Sequence, residues 1–224
     1  MLQLVGVTKP VVMSAKSETA HVIETTPLIS GMVTHTQVQF ILDSLEKTLV
    51  NNIEGDVVEL GCNIGTTSIF IRKMLDAHKS IKKFHVYDSF EGLPEKGKED
   101  KSDCSIERYF KGSGATSRTS FLNTFDKLHL KIPIMNSGWF SEISDEKYPD
   151  KISFAFFDGD FYQSIMDSFH KVYHKLTKGA IVCIHDFNWE HLPGVEKACK
   201  DFLNDKPETA VKAPGIHVGF ICIE

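Results

Sequence analysis

The stretch ISFAFFDGDFYQS, residues 152–164, is an apolar run from Ile152 to Phe157 that ends abruptly in Asp158-Gly159-Asp160, after which the chain turns polar and helical. An apolar run of this length without polar alternation reads as a strand buried on both faces. Two carboxylates one residue apart at its end either cap the next turn or hold a charged group. The segments around it bear on that choice.

Strand-like and helix-like segments alternate on both sides. DVVELGC (56–62), FHVYDSF (84–90), KIPIMNS (131–137) and AIVCIHDF (180–187) read as further strands, the third near an edge because of Pro133. Helical spacing marks QVQFILDSLEKTLVNN with Thr36 as its cap, then 66–78, 121–130, 163–176 and 193–204, with Gly179 stopping the fourth of these. The end of the chain reads as a two-stranded hairpin. This alternation predicts an α/β fold, a mostly parallel doubly wound sheet with helices on both faces and ligands at the carboxyl ends of the strands. Every predicted strand ends in small or polar residues, Asp88-Ser89 and His185-Asp186 among them. Residues 1–34 show no periodicity and read as an N-terminal extension to a domain spanning 35–224. The charge-dense segment 91–108 reads as a surface loop placed to act as a lid.

A net charge of -5 argues against a nucleic-acid backbone as the main partner, since phosphate neutralisation needs clustered Lys and Arg. The five cysteines, Cys62, Cys104, Cys183, Cys199 and Cys222, form neither a disulfide framework nor a zinc pattern. With no apolar run near the ~20 residues of a membrane span and no basic leader before the opening segment, the expectation is a cytoplasmic protein without a membrane partner.

In VVELGCNIG (57–65), Glu59 lies in the first strand, and Gly61 and Gly65 lie in the turn opening the first sheet helix. The spacing lacks the third glycine of a dinucleotide fingerprint, and an acid beside the turn suits a cationic ligand better than a pyrophosphate. Asp88, at the end of the second strand, is placed to take ribose hydroxyls. Together these fit S-adenosylmethionine. The expected cofactor-binding set is Glu59, Gly61, Asn63, Gly65, Thr66, Asp88, Ser89, Trp139 and Asp158. The bland alternative is a tight strand–helix turn, with Trp139 in the core. Asp158 and Asp186 end successive strands and are placed to share a hard divalent cation. Asp160, just beyond, is placed to accept a hydroxyl proton. An Asx turn accounts for Asp160 but poorly for Asp158. His185 fits a ligand, a proton carrier or a partner behind the ligands.

The segments GDVVELGCNIGTTSIFIRKML, VYDSFEGLP, SGWFSE and FFDGDFYQSIMDSFHKVYHKLTKGAIVCIHDF together resemble the macrocin-type (TylF-like) sugar O-methyltransferases, over about residues 55–205. The resemblance implies a class I methyltransferase fold, a seven-stranded sheet with an antiparallel last strand. It also implies S-adenosylmethionine as methyl donor, a sugar or glycan acceptor such as a rhamnose-type deoxyhexose, and a homodimer. It assigns Asp158 and Asp186 to Mg²⁺ and Asp160 to the role of general base. Where the family has an Asp-Asp pair, this chain has His185-Asp186. Imidazole is softer and neutral, which weakens Mg²⁺ and favours Mn²⁺ or a similar ion. Competing readings are a catechol-type O-methyltransferase, a nicotinamide oxidoreductase and a methyltransferase-like binding module without activity. A nucleic-acid base methyltransferase is disfavoured because the fourth strand runs into Asp-Gly-Asp-Phe-Tyr.

Overall fold

In the computed structural model, which describes residues 17–101 and 109–224, the stretch 152–157 is the centre of the sheet. Seven strands, β1 (Asp56–Leu60), β2 (Phe84–Asp88), β3 (Ile134–Ser137), β4 (Ile152–Phe157), β5 (Leu176–His185), β6 (Val211–Lys212) and β7 (Val218–Cys222), lie in the order β3-β2-β1-β4-β5-β7-β6. β1 to β5 are parallel, and β7 runs antiparallel to both β5 and β6. This is the class I methyltransferase sheet, with β3 at one edge as Pro133 suggests.

Strand alternation sends successive side chains of β4 to opposite faces. Phe154 and Phe156 pack with helices α1 (Glu18–Thr25), α2 (His35–Val50), α3 (Thr66–Ala77) and α4 (Arg118–Lys127). Ala155 and Phe157 pack with α5 (Tyr162–Val172) and α6 (Pro193–Leu203). Each of these buried phenylalanines contributes about 1.5–3 kcal/mol relative to exposure, so β4 fixes both layers at once.

Three local expectations change. The cap of α2 is Thr34, whose hydroxyl accepts from Gln37 N while the Gln37 side chain accepts from Thr34 N; Thr36 lies inside the helix. Gly179 does not stop α5. That helix ends at Val172, a 3₁₀ turn covers Tyr173–Lys175, and β5 has already begun at Leu176. Gly179 instead sits at φ +83° where the β4–β5 register shifts, donating its N–H to Ile223 O. A glycine with positive φ serves a bulge as well as a helix stop, and the sequence alone does not separate the two. Finally, residues 17–34, which have no visible periodicity, carry α1, and Val22 and Val33 join the core beneath α2 and α3. The earlier part of that segment, and residues 102–108 with Cys104, lie outside the described residues.

Candidate functional site

The β4–β5 register pairs Phe157 with Ile184, so the next residues, Asp158 and His185, come side by side and Asp186 follows one step beyond. His185 Nδ1 lies 2.8 Å from Asp158 Oδ1 and 3.2 Å from Asp186 Oδ2. His185 is only 5% exposed, and at these separations neither ring nitrogen makes an aligned hydrogen bond. Burial opposes an imidazolium there, but the two carboxylates outweigh it and raise the His185 pKa well above its ordinary value. Ligand atoms of Asp158, His185 and Asp186 all fall within 4.8 Å of one another. Asp160 adds a third carboxylate; burial, then Asp158 and Asp186, push its pKa well up.

These four residues lie in a cavity of about 770 Å³, together with Gly61, Asn63, Asp88, Ser89 and Trp139. Three other residues of the expected cofactor set do not line it. Glu59 is 1% exposed and points into the layer of α3, where it accepts from Ser68 Oγ at 2.5 Å. Burial raises its pKa well above the usual range, with Asp158 and Asp88 adding to the effect against the Ser68 bond. Thr66 Oγ1 lies 2.8 Å from Ser30 Oγ and so ties α3 to the N-terminal segment. Gly65, at φ +92°, caps α3, and a Cβ there would press on the rings of Phe121 and Phe125.

The glycine turn is ordered from the neighbouring strand. Asp88 Oδ2 accepts from Cys62 N (2.9 Å) and Asn63 N (2.8 Å), and Oδ1 accepts from Phe90 N (2.7 Å). A carboxylate has about four acceptor sites, so three of those on Asp88 are already used within the chain. Burial raises the Asp88 pKa while these three backbone bonds oppose it. Gly61 is required by close approach to the chain itself: at φ +93°, a Cβ would come within 2.1 Å of Asp158 O.

The structure adds residues that the sequence reading passed over. Gly31, Met32, Thr34 and Gln37 bring the N-terminal segment to the cavity wall, and Trp189 and His217, their ring centroids 6.0 Å apart, line it too. Trp189 could have been found, since it follows Asp186 by three residues at a strand end. Asp100 could not. It is 2% exposed and reaches from the charged loop to accept from Tyr162 N, the first residue of α5, at 2.7 Å, and from Gly97 N at 3.0 Å. The α5 N-cap residue, Phe161, has no side-chain acceptor of its own, so Asp100 caps that helix from a distant part of the chain. A Cβ on Gly194 would meet Asp100 Oδ1 at 1.9 Å, so the glycine at the start of α6 makes room for this contact. The described part of the 91–108 loop is therefore docked: Leu93 N donates to Ser113 O and Gly112 N to Leu93 O.

Among the described residues, no helix is long and apolar enough to cross a membrane. The macrocin-O-methyltransferase (TylF) family profile matches residues 8–223, well beyond the stretch that carries the resemblance. A curated relative from Streptomyces olivaceus, 8-demethyl-8-(2,3-dimethoxy-α-L-rhamnosyl)-tetracenomycin-C 4'-O-methyltransferase, is 29% identical over 77% of this chain and 67% of its own length. Demethyldecarbamoylnovobiocin O-methyltransferase of Streptomyces niveus is 30% identical over 66% of this chain and 58% of its own. The chain thus spans about two thirds or less of these relatives. Among solved structures, the O-methyltransferase NovP superposes with a TM-score of 0.75 at 23% identity, over 86% of this chain and 81% of that one, which establishes the fold. The family match over nearly the whole chain agrees with the sheet order and with the cavity at its carboxyl edge: the chain belongs to the macrocin-O-methyltransferase (TylF) family and is an S-adenosylmethionine-dependent O-methyltransferase.

Proposed function

We propose that the protein methylates a hydroxyl of a sugar, a deoxyhexose such as rhamnose within a glycan or glycoside, with a divalent cation held by Asp158, His185 and Asp186. The observation that carries this reading is the cluster of two carboxylates and one imidazole, its ligand atoms within 4.8 Å, at the strand ends inside the cavity. Its fit to a cation rests on the convergence of the two carboxylates on the buried imidazole of His185, where a bound cation would take the place of the proton they draw onto the ring. Two oxygens and one nitrogen suit Mg²⁺ less well than Mn²⁺ or a similar ion. When bound, such an ion would orient an acceptor hydroxyl and lower its pKa. The Streptomyces olivaceus relative is named as an O-methyltransferase of a rhamnosyl-bearing compound, which supports the sugar class.

The chain's own residues do the rest. Asp160, at φ +60° one residue past Gly159, takes the hydroxyl proton as the oxygen attacks the methyl carbon, while the sulfur–methyl bond breaks and S-adenosylhomocysteine leaves with the bonding pair. The turn at Gly61, Asn63 and Ser89, with the free acceptor site of Asp88, holds the adenosyl part of the donor, and Trp139 offers an apolar wall for its base. Fixing donor and acceptor in one cavity supplies much of the acceleration. The free buried thiols Cys62, Cys183 and Cys199 support a reducing, cytoplasmic setting.

The test is methyl transfer to a panel of deoxyhexose and catechol acceptors, after metal removal and with Mg²⁺ or Mn²⁺ restored, beside calorimetry with S-adenosylhomocysteine. The expected result is sugar methylation that chelation abolishes and Mn²⁺ restores best. Transfer to catechols alone overturns the sugar assignment. Sugar methylation untouched by chelation overturns the metal.

A further inference from the structure

We infer that His217 is an acceptor-binding residue whose Nε2 accepts a hydrogen bond from a second, non-reacting hydroxyl of the sugar and so fixes which hydroxyl meets the methyl donor; this rests on the sugar-methylating reading above and deepens it. Antiparallel pairing of β5 with β7 sets Ile184 against Gly219 and His185 against Val218. One step further along, the same register brings His217 to the side of Asp186, at the end of the sheet where the cavity lies. His217 is half-buried and lines that cavity. It is not one of the three residues whose ligand atoms gather there, Asp158, His185 and Asp186, so it meets the cavity as a polar group of its own.

The ring is held by one nitrogen. His217 Nδ1 lies 3.0 Å from Asn188 O. A carbonyl oxygen only accepts, so Nδ1 carries the proton, and in the neutral ring Nε2 keeps its lone pair as an acceptor. Asn188 is itself fixed, since its Oδ1 accepts from Lys212 Nζ at 2.8 Å and its Nδ2 donates to Glu196 Oε2 at 2.8 Å. That anchor joins β6, α6 and the turn after β5, and it sets the tautomer before any ligand arrives. Next in the chain is Trp189, its ring centroid 6.0 Å from that of His217 and its ring braced edge-on by Tyr109 and His191. A pyranose carries C–H groups on its faces and hydroxyls around its edge, so a fixed aromatic ring beside a fixed acceptor suits it. Asp160 follows β4 and His217 precedes β7, with β5 between those strands. Strands lie about 4.8 Å apart, so the two residues spring from strand positions about 10 Å apart, a span served by two different hydroxyls of one sugar and not by a single one.

The test uses para-nitrophenyl α-L-rhamnoside and its singly deoxygenated analogues, with kcat/KM read for the native protein and for His217→Asn and His217→Gln. Asparagine keeps an N–H near the place of Nδ1 and puts nothing at Nε2, whereas glutamine does the reverse. In the native protein, loss of one non-reacting hydroxyl should lower kcat/KM by about five- to tenfold, the scale of one hydrogen bond between neutral groups. His217→Asn should lower the parent rhamnoside by the same factor and be indifferent to that hydroxyl, while His217→Gln keeps part of the discrimination. Both variants should bind S-adenosylhomocysteine as the native protein does. A variant that loses the same factor on every acceptor, deoxygenated or not, overturns the inference. So does a native protein insensitive to each non-reacting hydroxyl. A loss confined to His217→Gln also overturns it, because His217 is then only the anchor of Asn188. Should one variant misfold, the other with the native series decides. Transfer to no rhamnoside, with S-adenosylhomocysteine still bound, removes the rhamnose-type reading itself and this inference with it.

Discussion

His185 and His85 each stand beside an aspartate on the same sheet, His185 at the carboxyl end of the strands and His85 toward the amino end. Both are buried, at 5% and 8% exposure. His85 Nε2 lies 3.6 Å from one carboxylate, that of Asp56, and burial prevails, so its pKa is lowered. His185 faces two carboxylates at 2.8 and 3.2 Å, and they prevail over burial. The surroundings differ in the same sense. At the amino end, Lys82 Nζ donates to Ile53 O and Gly55 O, Asp56 Oδ1 accepts from Lys83 N, and Lys151 pairs with Glu54. There the charged groups are held by backbone atoms and by one ion pair of the chain itself. At the carboxyl end the described cavity lining holds no lysine or arginine, and the charge that answers its acids is the imidazole of His185.

The backbone repeats the contrast. Among the described residues, eight non-glycine residues have positive φ. Asn52, Lys79 and His129 directly follow the last turns of α2, α3 and α4, where a left-handed residue is an ordinary helix ending. The other five, Asn63, Phe90, Asp160, Asp186 and Asn188, all lie in the turns beyond β1, β2, β4 and β5. Strain of this kind costs on the order of 1–3 kcal/mol per residue and is held in place by its surroundings. Left-handed non-glycine residues thus gather at the carboxyl end of the sheet, where the cavity lies.

The sharpest way to break this contrast is to remove one aspartate from each end. Asp158→Ala should lower methyl transfer by about a hundredfold or more, the scale expected when a group acting on the reacting proton or its orientation is lost. Asp56→Ala should leave turnover within about threefold. Initial rates at saturating donor, with S-adenosylhomocysteine affinity as the control for an intact cofactor turn, decide it. Equal losses in the two variants would mean that the ends are not functionally distinct.

A smaller effect should follow from Asp100, which belongs to neither end but fixes one of them. Its carboxylate caps α5 at Tyr162, two residues beyond Asp160. Asp100→Ala removes a buried cap worth about 1 kcal/mol, or about 2–4 °C in Tm for a chain of this size. It should also lower kcat by about five- to tenfold with unchanged affinity for S-adenosylhomocysteine, because Asp160, the proposed proton acceptor, then drifts from its place. Asp100→Asn keeps an oxygen for Tyr162 N and loses the acceptor for Gly97 N, so it should fall between the two. A drop in Tm with unchanged kcat would make Asp100 structural only.

Asp100 also marks where sequence reading stops. The strand ends were legible because each apolar run breaks at a polar residue, and topology sends parallel strand ends to one edge. That brought Asp158, Asp160, Asp186 and Asp88 into view, and the β4–β5 register then explains why His185, not Asp186, is the direct neighbour of Asp158. The Thr34–Gln37 capping box was readable as a pattern, yet the helix start was placed two residues late because the apolar periodicity drew attention to Val38. Gly61 was read as part of the cofactor turn, and the close approach it makes within the chain is to Asp158 O of the next strand, which no local pattern announces. Glu59 sits beside the turn in sequence while strand alternation turns it away from the cavity, and a pleat of known phase would have predicted that. The Asp100–Tyr162 bond joins residues far apart in the chain, with nothing in either neighbourhood to pair them.

The smallest predicted effect returns to His85 and tests the self-sufficient end. Its pKa in the folded chain is lowered from 6.5, by burial first and against the pull of Asp56. The unfolded chain therefore takes up a proton that the folded chain refuses. Stability from the neutral imidazole is present above 6.5 and is lost as pH falls through the lowered folded value. His85→Leu removes that proton uptake while keeping an apolar side chain on β2. Denaturant midpoints measured at about pH 7.5 and about pH 5 should fall less for the variant than for the native protein, with turnover at neutral pH little changed. The converse experiment on His185 would disturb the site itself, so His85 is the cleaner measure of what burial alone does to an imidazole in this sheet. Midpoints that fall equally in both proteins would show that Asp56 holds the His85 proton after all, and that the two ends differ less than their distances imply.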